Sequence, residues 1–162
     1  MVKNILVAYA SKYGATAEIA EKIGEVLRQA GLQADVLPVD GIRDLNAYQA
    51  VILGSAVYIG KWQKEAEAFL KINEKILADR PVWLFSSGPT ETGDPVELLN
   101  GWRLPATLQP VVDRIQPCDI AVFHGCTNPD KLNFIQKWVI KSILKKPLGD
   151  FRDWEMIVTW TN

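Results

Sequence analysis

The chain is expected to fold as one open, doubly wound α/β sheet with helices on both faces. Three features predict this. Five short apolar runs alternate with stretches long enough for crossovers, which is the pattern of a parallel sheet. The third and fourth runs, AVIL at 50–53 and VWLF at 82–85, have no polar face and suit strands covered on both sides. The second run contains Pro38, which lacks an N–H and belongs at a sheet edge. A proline-bearing edge strand fits the order 2-1-3-4-5, in which the first and third strands meet at a switch point.

Each element follows from local chemistry. Residues 4–10 form a compact apolar run for an inner strand. A short turn follows, and Ile19, Ala20, Ile23, Leu27 and Ala30 then recur at spacings of three and four, on one helical face. Gly31 stops that helix, and residues 33–39 read as the second strand. Residues 40–48 connect, with about one helical turn around Leu45, to the third strand. Residues 54–62 are expected to be a loop bracketed by Gly54 and Gly60. A helix is expected over 63–76, with Ala66, Phe69, Leu70 and Asn73 near one face, before Arg80-Pro81. The fourth strand empties into a turn-rich stretch at 86–95. A helix follows within 104–115, where Pro105 and Pro110 blur its extent, and then a fifth strand at 119–123.

Bulk properties narrow the function. A chain of 162 residues is long enough for one large core and too short for two. Eighteen basic and nineteen acidic side chains give a formal charge of -1, with no broad field to attract nucleic acid. Cys118 and Cys126 lack metal-binding spacing and suit a reducing cytoplasm as buried or half-buried thiols. Met1 to Asn4 leads straight into the first strand without a signal sequence, and no apolar run approaches the length of a spanning helix.

The turn Ser11-Lys12-Tyr13-Gly14-Ala15-Thr16 joins the first strand to the first helix. Such a turn aims backbone N–H groups and the Ser11 and Thr16 hydroxyls at one spot above the sheet, where an anion, above all a phosphate, would sit. A purely structural turn with an N-cap is the simpler alternative. The nucleotide P-loop is excluded, because no Gly-Lys-Ser/Thr follows Gly14. The dinucleotide fingerprint is excluded because Gly14 is the one glycine between Ala10 and Ile23. A Mg²⁺-binding receiver domain would need carboxylates where this chain has Tyr9-Ala10 and Gly54-Ser55.

In the predicted strand order, the turns beginning at Ser11, Ser55 and Ser86 converge on one crevice at the carboxyl ends of the strands. The second turn carries Tyr58 and Trp62, either of which offers a flat apolar wall or simply caps the sheet. The third is rich in backbone groups suited to the edge of a polar heterocycle. A flat ring with a single phosphate tail describes FMN better than a dinucleotide or a bare metal. No acid-base pair stands out for catalysis, and the lone His124 reads more readily as structural. The chemistry is therefore expected to belong to the cofactor. Glu91 and Asp94 would disfavour further negative charge on a nearby reduced flavin, or would be solvated loop carboxylates.

The segment AYASKYGATAEIAEKI at 8–23 resembles the FMN phosphate loop and first helix of the flavodoxin superfamily, with Ser11, Gly14 and Thr16 at the matching positions. The common form has threonine where this chain has Tyr13. The pieces VILGSAVYIGKW at 51–62, DIAVFHG at 119–125, and the tail from LNFIQKWVIKSILKK to DFRDWEMIVTW are most similar to the menaquinone-dependent protoporphyrinogen oxidase group of that superfamily. The resemblance implies a flavodoxin-like five-stranded sheet with a helical insertion at 127–149 after the fifth strand. It also implies an FMN-dependent oxidoreductase that oxidises protoporphyrinogen with a quinone acceptor in heme biosynthesis. By the same resemblance, Ser11, Lys12, Tyr13, Gly14, Ala15 and Thr16 hold the FMN phosphate. Ser55, Ala56, Val57, Tyr58, Ile59 and Gly60 line one side of the isoalloxazine, and Ser87, Gly88, Pro89 and Thr90 meet its polar edge. An FMN electron carrier serving a redox protein, and a flavin-free interaction domain, are the alternatives.

Within the insertion, Phe134, Ile135, Trp138, Val139, Ile140, Ile143 and Leu144 alternate with Lys137, Lys141, Lys145 and Lys146. The apolar groups spread over a broad helical arc with a basic margin, as in a helix lying at a membrane interface. The stretch 134–146 would then contact the inner face of the cytoplasmic membrane. A helix docked on the sheet or on a second copy explains the same pattern. Asp153-Trp154-Glu155 is expected to open a last helix; with Asn162 as the last residue, either that helix is short or a longer tail has been trimmed or lost.

Overall fold

The computed structural model describes residues 4–11, 14–58, 61–88, 103–123, 126–127, 149–150, 152 and 154–161. The elements run β1 (Asn4–Ala10), α1 (Ala15–Gln29), β2 (Gln33–Pro38), β3 (Ala50–Tyr58), β4 (Lys61–Trp62), α2 (Lys64–Ile72), α3 (Glu74–Ala78), β5 (Val82–Ser87), α4 (Gln109–Ile115), β6 (Asp119–Phe123), β7 (Cys126–Thr127), β8 (Gly149–Asp150) and α5 (Trp154–Thr161). The parallel strands lie in the order β2-β1-β3-β5-β6, with β4 turned back antiparallel on the end of β3. This is the doubly wound order expected from the sequence. Pro38 closes the edge strand β2 opposite Tyr9 of β1.

Alternation along the inner strands divides the interior into two cores. Leu6, Ala8, Val51, Leu53, Val82 and Leu84 face one side and meet Ala66, Leu70 and Leu77 of α2 and α3 and Val112 and Ile115 of α4. Ile5, Val7, Ile52 and Phe85 face the other side, where Ile19, Ala20, Ile23 and Leu27 of α1 and Ile157 of α5 cover them. Each fully buried aliphatic side chain contributes about 1.5–3 kcal/mol relative to exposure, so both faces of the sheet hold the fold together. Helix α1 ends where Gly31 takes φ 88°. There the Gly31 N–H donates to Arg28 O at 3.0 Å and the Leu32 N–H to Leu27 O at 3.1 Å, closing the last turn.

Three expectations change at the level of local structure. The helix expected over 63–76 is two helices, broken at Asn73, whose side-chain Nδ2 donates to Phe69 O at 2.9 Å and competes with the helical ladder. The helix expected within 104–115 starts at Gln109 behind a 3₁₀ turn at Ala106–Leu108, with Pro110 in its first turn, where a missing N–H costs nothing. The loop expected over 54–62 is largely strand: β3 continues to Tyr58, and Val57 pairs with Trp62 and Tyr58 with Lys61.

Gly54 lies within that longer strand because a side chain will not fit there. A Cβ on Gly54 would stand 1.9 Å from the ring of Phe85, its neighbour in register on β5. Phe85 packs against Phe123 with ring centroids 5.6 Å apart, and Trp160 of α5 meets Phe123 at 5.4 Å. At the opposite end of the sheet, the Arg80 guanidinium donates to Leu45 O at 2.9 Å and Tyr48 O at 2.6 Å, fastening the connection that enters β3. The Tyr48 hydroxyl donates to Asp35 Oδ2 at 2.7 Å, and burial, then this bond, pushes its pKa up to about 12.

Gly54→Ala should lower stability by about 1–3 kcal/mol, since the Phe85 ring must leave its seat. Urea unfolding followed by far-ultraviolet circular dichroism measures this, and an unchanged midpoint would contradict the packing described. The Tyr48 contribution has a defined pH window. Below pH 10, the phenol's ordinary value, folded and unfolded chains both keep the proton and the contribution is complete. Between pH 10 and about 12 the unfolded chain loses it first, so stability falls. The stability gap between wild type and Tyr48→Phe should therefore narrow above pH 10, and a gap constant through that window would contradict the assignment.

Candidate functional site

Strand register gathers the candidate residues at one edge. Ala10 of β1 is level with Ser55 of β3, Ser55 with Ser86 of β5, and Ser86 with Val122 of β6. The chain leaves β1 for α1 on one face and leaves β3, through β4, for α2 on the other. A crevice outside the carboxyl ends of β1 and β3 follows from that divergence.

The turn into α1 has the features of an anion cradle. Gly14 stands ahead of the helix with φ 92° and ψ -10°, and its N–H donates to Ser11 Oγ at 2.9 Å. No side chain caps the helix. The N–H groups of Ala15, Thr16 and Ala17 belong to the first turn, where helix geometry provides no internal acceptor. Thr16 is 1 % exposed, yet its hydroxyl makes no hydrogen bond among the described residues. A buried hydroxyl left unpaired beside an uncapped N-terminus is what a bound phosphate would satisfy.

At the end of β5, beside Ala56 in register, Ser87 is 5 % exposed and its hydroxyl is likewise unpaired among the described residues. The Gly88 N–H donates to Phe123 O at 3.0 Å, so the chain leaves β5 along the end of β6. Ser55 is fully buried, and its hydroxyl is spent inside the protein: it donates to Ala56 O and accepts from the Gln63 N–H, both at 2.9 Å. Trp62 lies in the core at 3 % exposure, where its indole N–H donates to Ser86 Oγ at 2.8 Å. Ser86 in turn donates to Arg103 O at 2.9 Å. Of the two roles open to Trp62 in the sequence, packing over the sheet is the one its position fits. A buried indole needs an acceptor, and Ser86 supplies it.

Ser11, Gly14, Ala15, Thr16, Ala56, Val57, Ser87 and Gly88 thus share the carboxyl edge. Tyr58 ends β3 there by its backbone. Lys12, Tyr13, Ile59, Gly60, Pro89, Thr90 and the side chain of Tyr58 lie outside the described residues, as do Glu91, Asp94, His124 and the stretch 134–146. Sequence reasoning missed Arg152, whose Nη1 donates to Glu18 Oε2 at 2.6 Å and Ala15 O at 3.3 Å on the first turn of α1. No local pattern advertises a pair separated by 134 positions. Among the described residues no helix is long and apolar enough to cross a membrane.

A parallel sheet with a phosphate-shaped turn after its first strand, at the switch point, defines a doubly wound domain of the nucleotide-binding class. The chain belongs to the flavodoxin domain family, whose model matches residues 6–153. FMN binding is the defining feature of that fold. Protoporphyrinogen IX dehydrogenase (quinone) of Escherichia coli strain K12 is 23% identical over 177 aligned positions, which cover 96% of this chain and 91% of the relative. Among solved structures, oxidised flavodoxin 2 from Bacillus cereus superposes with a TM-score of 0.57 at 24% identity, covering 88% of this chain and 99% of that one. A flavodoxin from the domain Archaea gives 0.58 at 16% identity, covering 88% and 97%. These two share its fold.

Proposed function

We propose that this chain holds FMN at the carboxyl edge of the sheet and oxidises protoporphyrinogen with a quinone as electron acceptor. The observation that carries the finer part is the similarity to the Escherichia coli dehydrogenase along nearly the whole of both chains. That span takes in the excursion after β6, which leaves at β7 and returns at β8. Cys126 pairs with Asp150 there and Thr127 with Gly149, so the excursion starts and ends at one point near the site.

The Ser11 and Thr16 hydroxyls, with the N–H groups of the first turn of α1, would bind and orient the phosphate, and the resemblance adds Lys12 and Tyr13 to that turn. Residues 55–60 cover one side of the ring, and residues 87–90 meet its polar edge with hydroxyl and backbone groups. Bound FMN supplies the electron-accepting chemistry. In this reading the segment 127–149 helps place the apolar porphyrinogen or quinone beside the flavin. Its stretch 134–146 rests on the cytoplasmic membrane surface where quinone is found, with lysines towards anionic lipid. The family match favours a second reading, an FMN electron carrier serving a redox protein, in which the excursion only packs.

Reconstitution should give a yellow complex with one FMN per chain. Thr16→Ala should weaken FMN by about 1.5–3 kcal/mol while changing riboflavin little, because it removes a charge-assisted contact to the phosphate. Fluorescence titration with both flavins checks this; equal losses would remove the phosphate assignment. Anaerobic oxidation of protoporphyrinogen with a menaquinone analogue should proceed on the full chain and fail when residues 128–148 are replaced by a short turn. Absence of turnover with soluble and membrane-presented quinone, by a chain that binds FMN, would leave the carrier.

A further inference from the structure

We propose that Arg152 is a positioning residue for the phosphate turn, acting by neutralising Glu18. The proposal rests on the phosphate reading of residues 11–16. Glu18 lies in the first turn of α1, about 4.5 Å along the helix axis from Ala15. An unpaired carboxylate there would complement the helix dipole but would repel a phosphate bound at the same N-terminus. The structure supplies the counter-charge from the far end of the chain.

The Arg152 side chain is 8% exposed and its Nη1 bonds the Glu18 carboxylate at 2.6 Å. The same nitrogen donates to the Ala15 carbonyl at 3.3 Å, so one guanidinium group is tied to both backbone and side chain of the turn. Its plane is backed by Trp154, whose ring centroid lies 4.6 Å from Cζ. A guanidinium tied at one nitrogen to two acceptors and backed by a ring does not swing into solvent as a surface lysine does. Because Arg152 lies in the short connection between β8 and α5, its hold on α1 also links the return of the excursion to the phosphate turn. The charge and the geometry of the cradle are therefore set jointly by residues near the two ends of the sequence.

The readout is the preference for FMN over riboflavin, which differ only in the phosphate. Arg152→Gln should weaken FMN about fivefold and leave riboflavin unchanged, the size of a full charge acting at a helix terminus. Adding Glu18→Gln to that variant should restore FMN affinity, and Arg152→Lys should retain most of it. Glu18→Gln alone should tighten FMN, which keeps the test decisive even where Arg152→Gln does not fold. Equal weakening of both flavins by Arg152→Gln, or no recovery on adding Glu18→Gln, would show a role in packing only and overturn the proposal. An unchanged preference in every variant of a chain that itself prefers FMN overturns it alone. A wild-type chain with no preference for FMN removes the phosphate site and this proposal together.

Discussion

The seat of Phe85 over Gly54 is the contact on which much of the rest depends. By taking the space of a missing Cβ, the Phe85 ring lies close against β3 and packs tilted on Phe123 and edge-to-face with Trp160. Aromatic pairs of this kind are worth about 0.5–1.5 kcal/mol each beyond the area they bury. Their larger effect is positional. Trp160 is fixed on one side by Phe123 and on the other by its indole N–H, which donates to Asp119 Oδ2 at 2.8 Å. That fixes α5 on β6, and Ile157 on the same helix completes the core beneath α1.

A second constraint acts across the carboxyl edge. The hydroxyls of Ser55 and Ser86 each sit between one donor and one acceptor, joining the β4 hairpin to β3 and to Arg103. A buried hydroxyl with both partners met is stable, and removing one of them would leave a polar atom stranded in the core. Thr16 and Ser87 are buried to a similar degree without such partners among the described residues. The contrast separates hydroxyls that build the edge from hydroxyls that the described residues leave unpaired.

Much of this was legible in the sequence. The compact apolar runs at 4–10, 50–53 and 82–85, and Pro38 at an edge, carry the sheet order with them. Ser11, Gly14 and Thr16 mark the turn into α1 as a candidate anion cradle, because small and hydroxyl residues there suit either a bound anion or a structural N-capped turn. The hairpin after β3 was hidden because Gly54 reads as punctuation in isolation. Its role depends on Phe85, a neighbour only in the folded sheet. Trp62 was ambiguous for the same reason: a wall and a core residue look alike until the acceptor for the indole N–H is known, and that acceptor is 24 positions away. Asn73 broke a helix whose apolar spacing ran on past it, since periodicity carries no record of a side chain bonding its own backbone.

The two-residue ladder of β7 and β8 has a consequence for how such a chain changes over generations. Length added between paired ends does not shift the register of any strand in the main sheet, and the entropy of closing a loop grows only with the logarithm of its length. Growth or loss at that point is therefore nearly neutral for folding. Selection there acts on what the added segment touches, so one ancestral sheet can be inherited by lineages with different clientele.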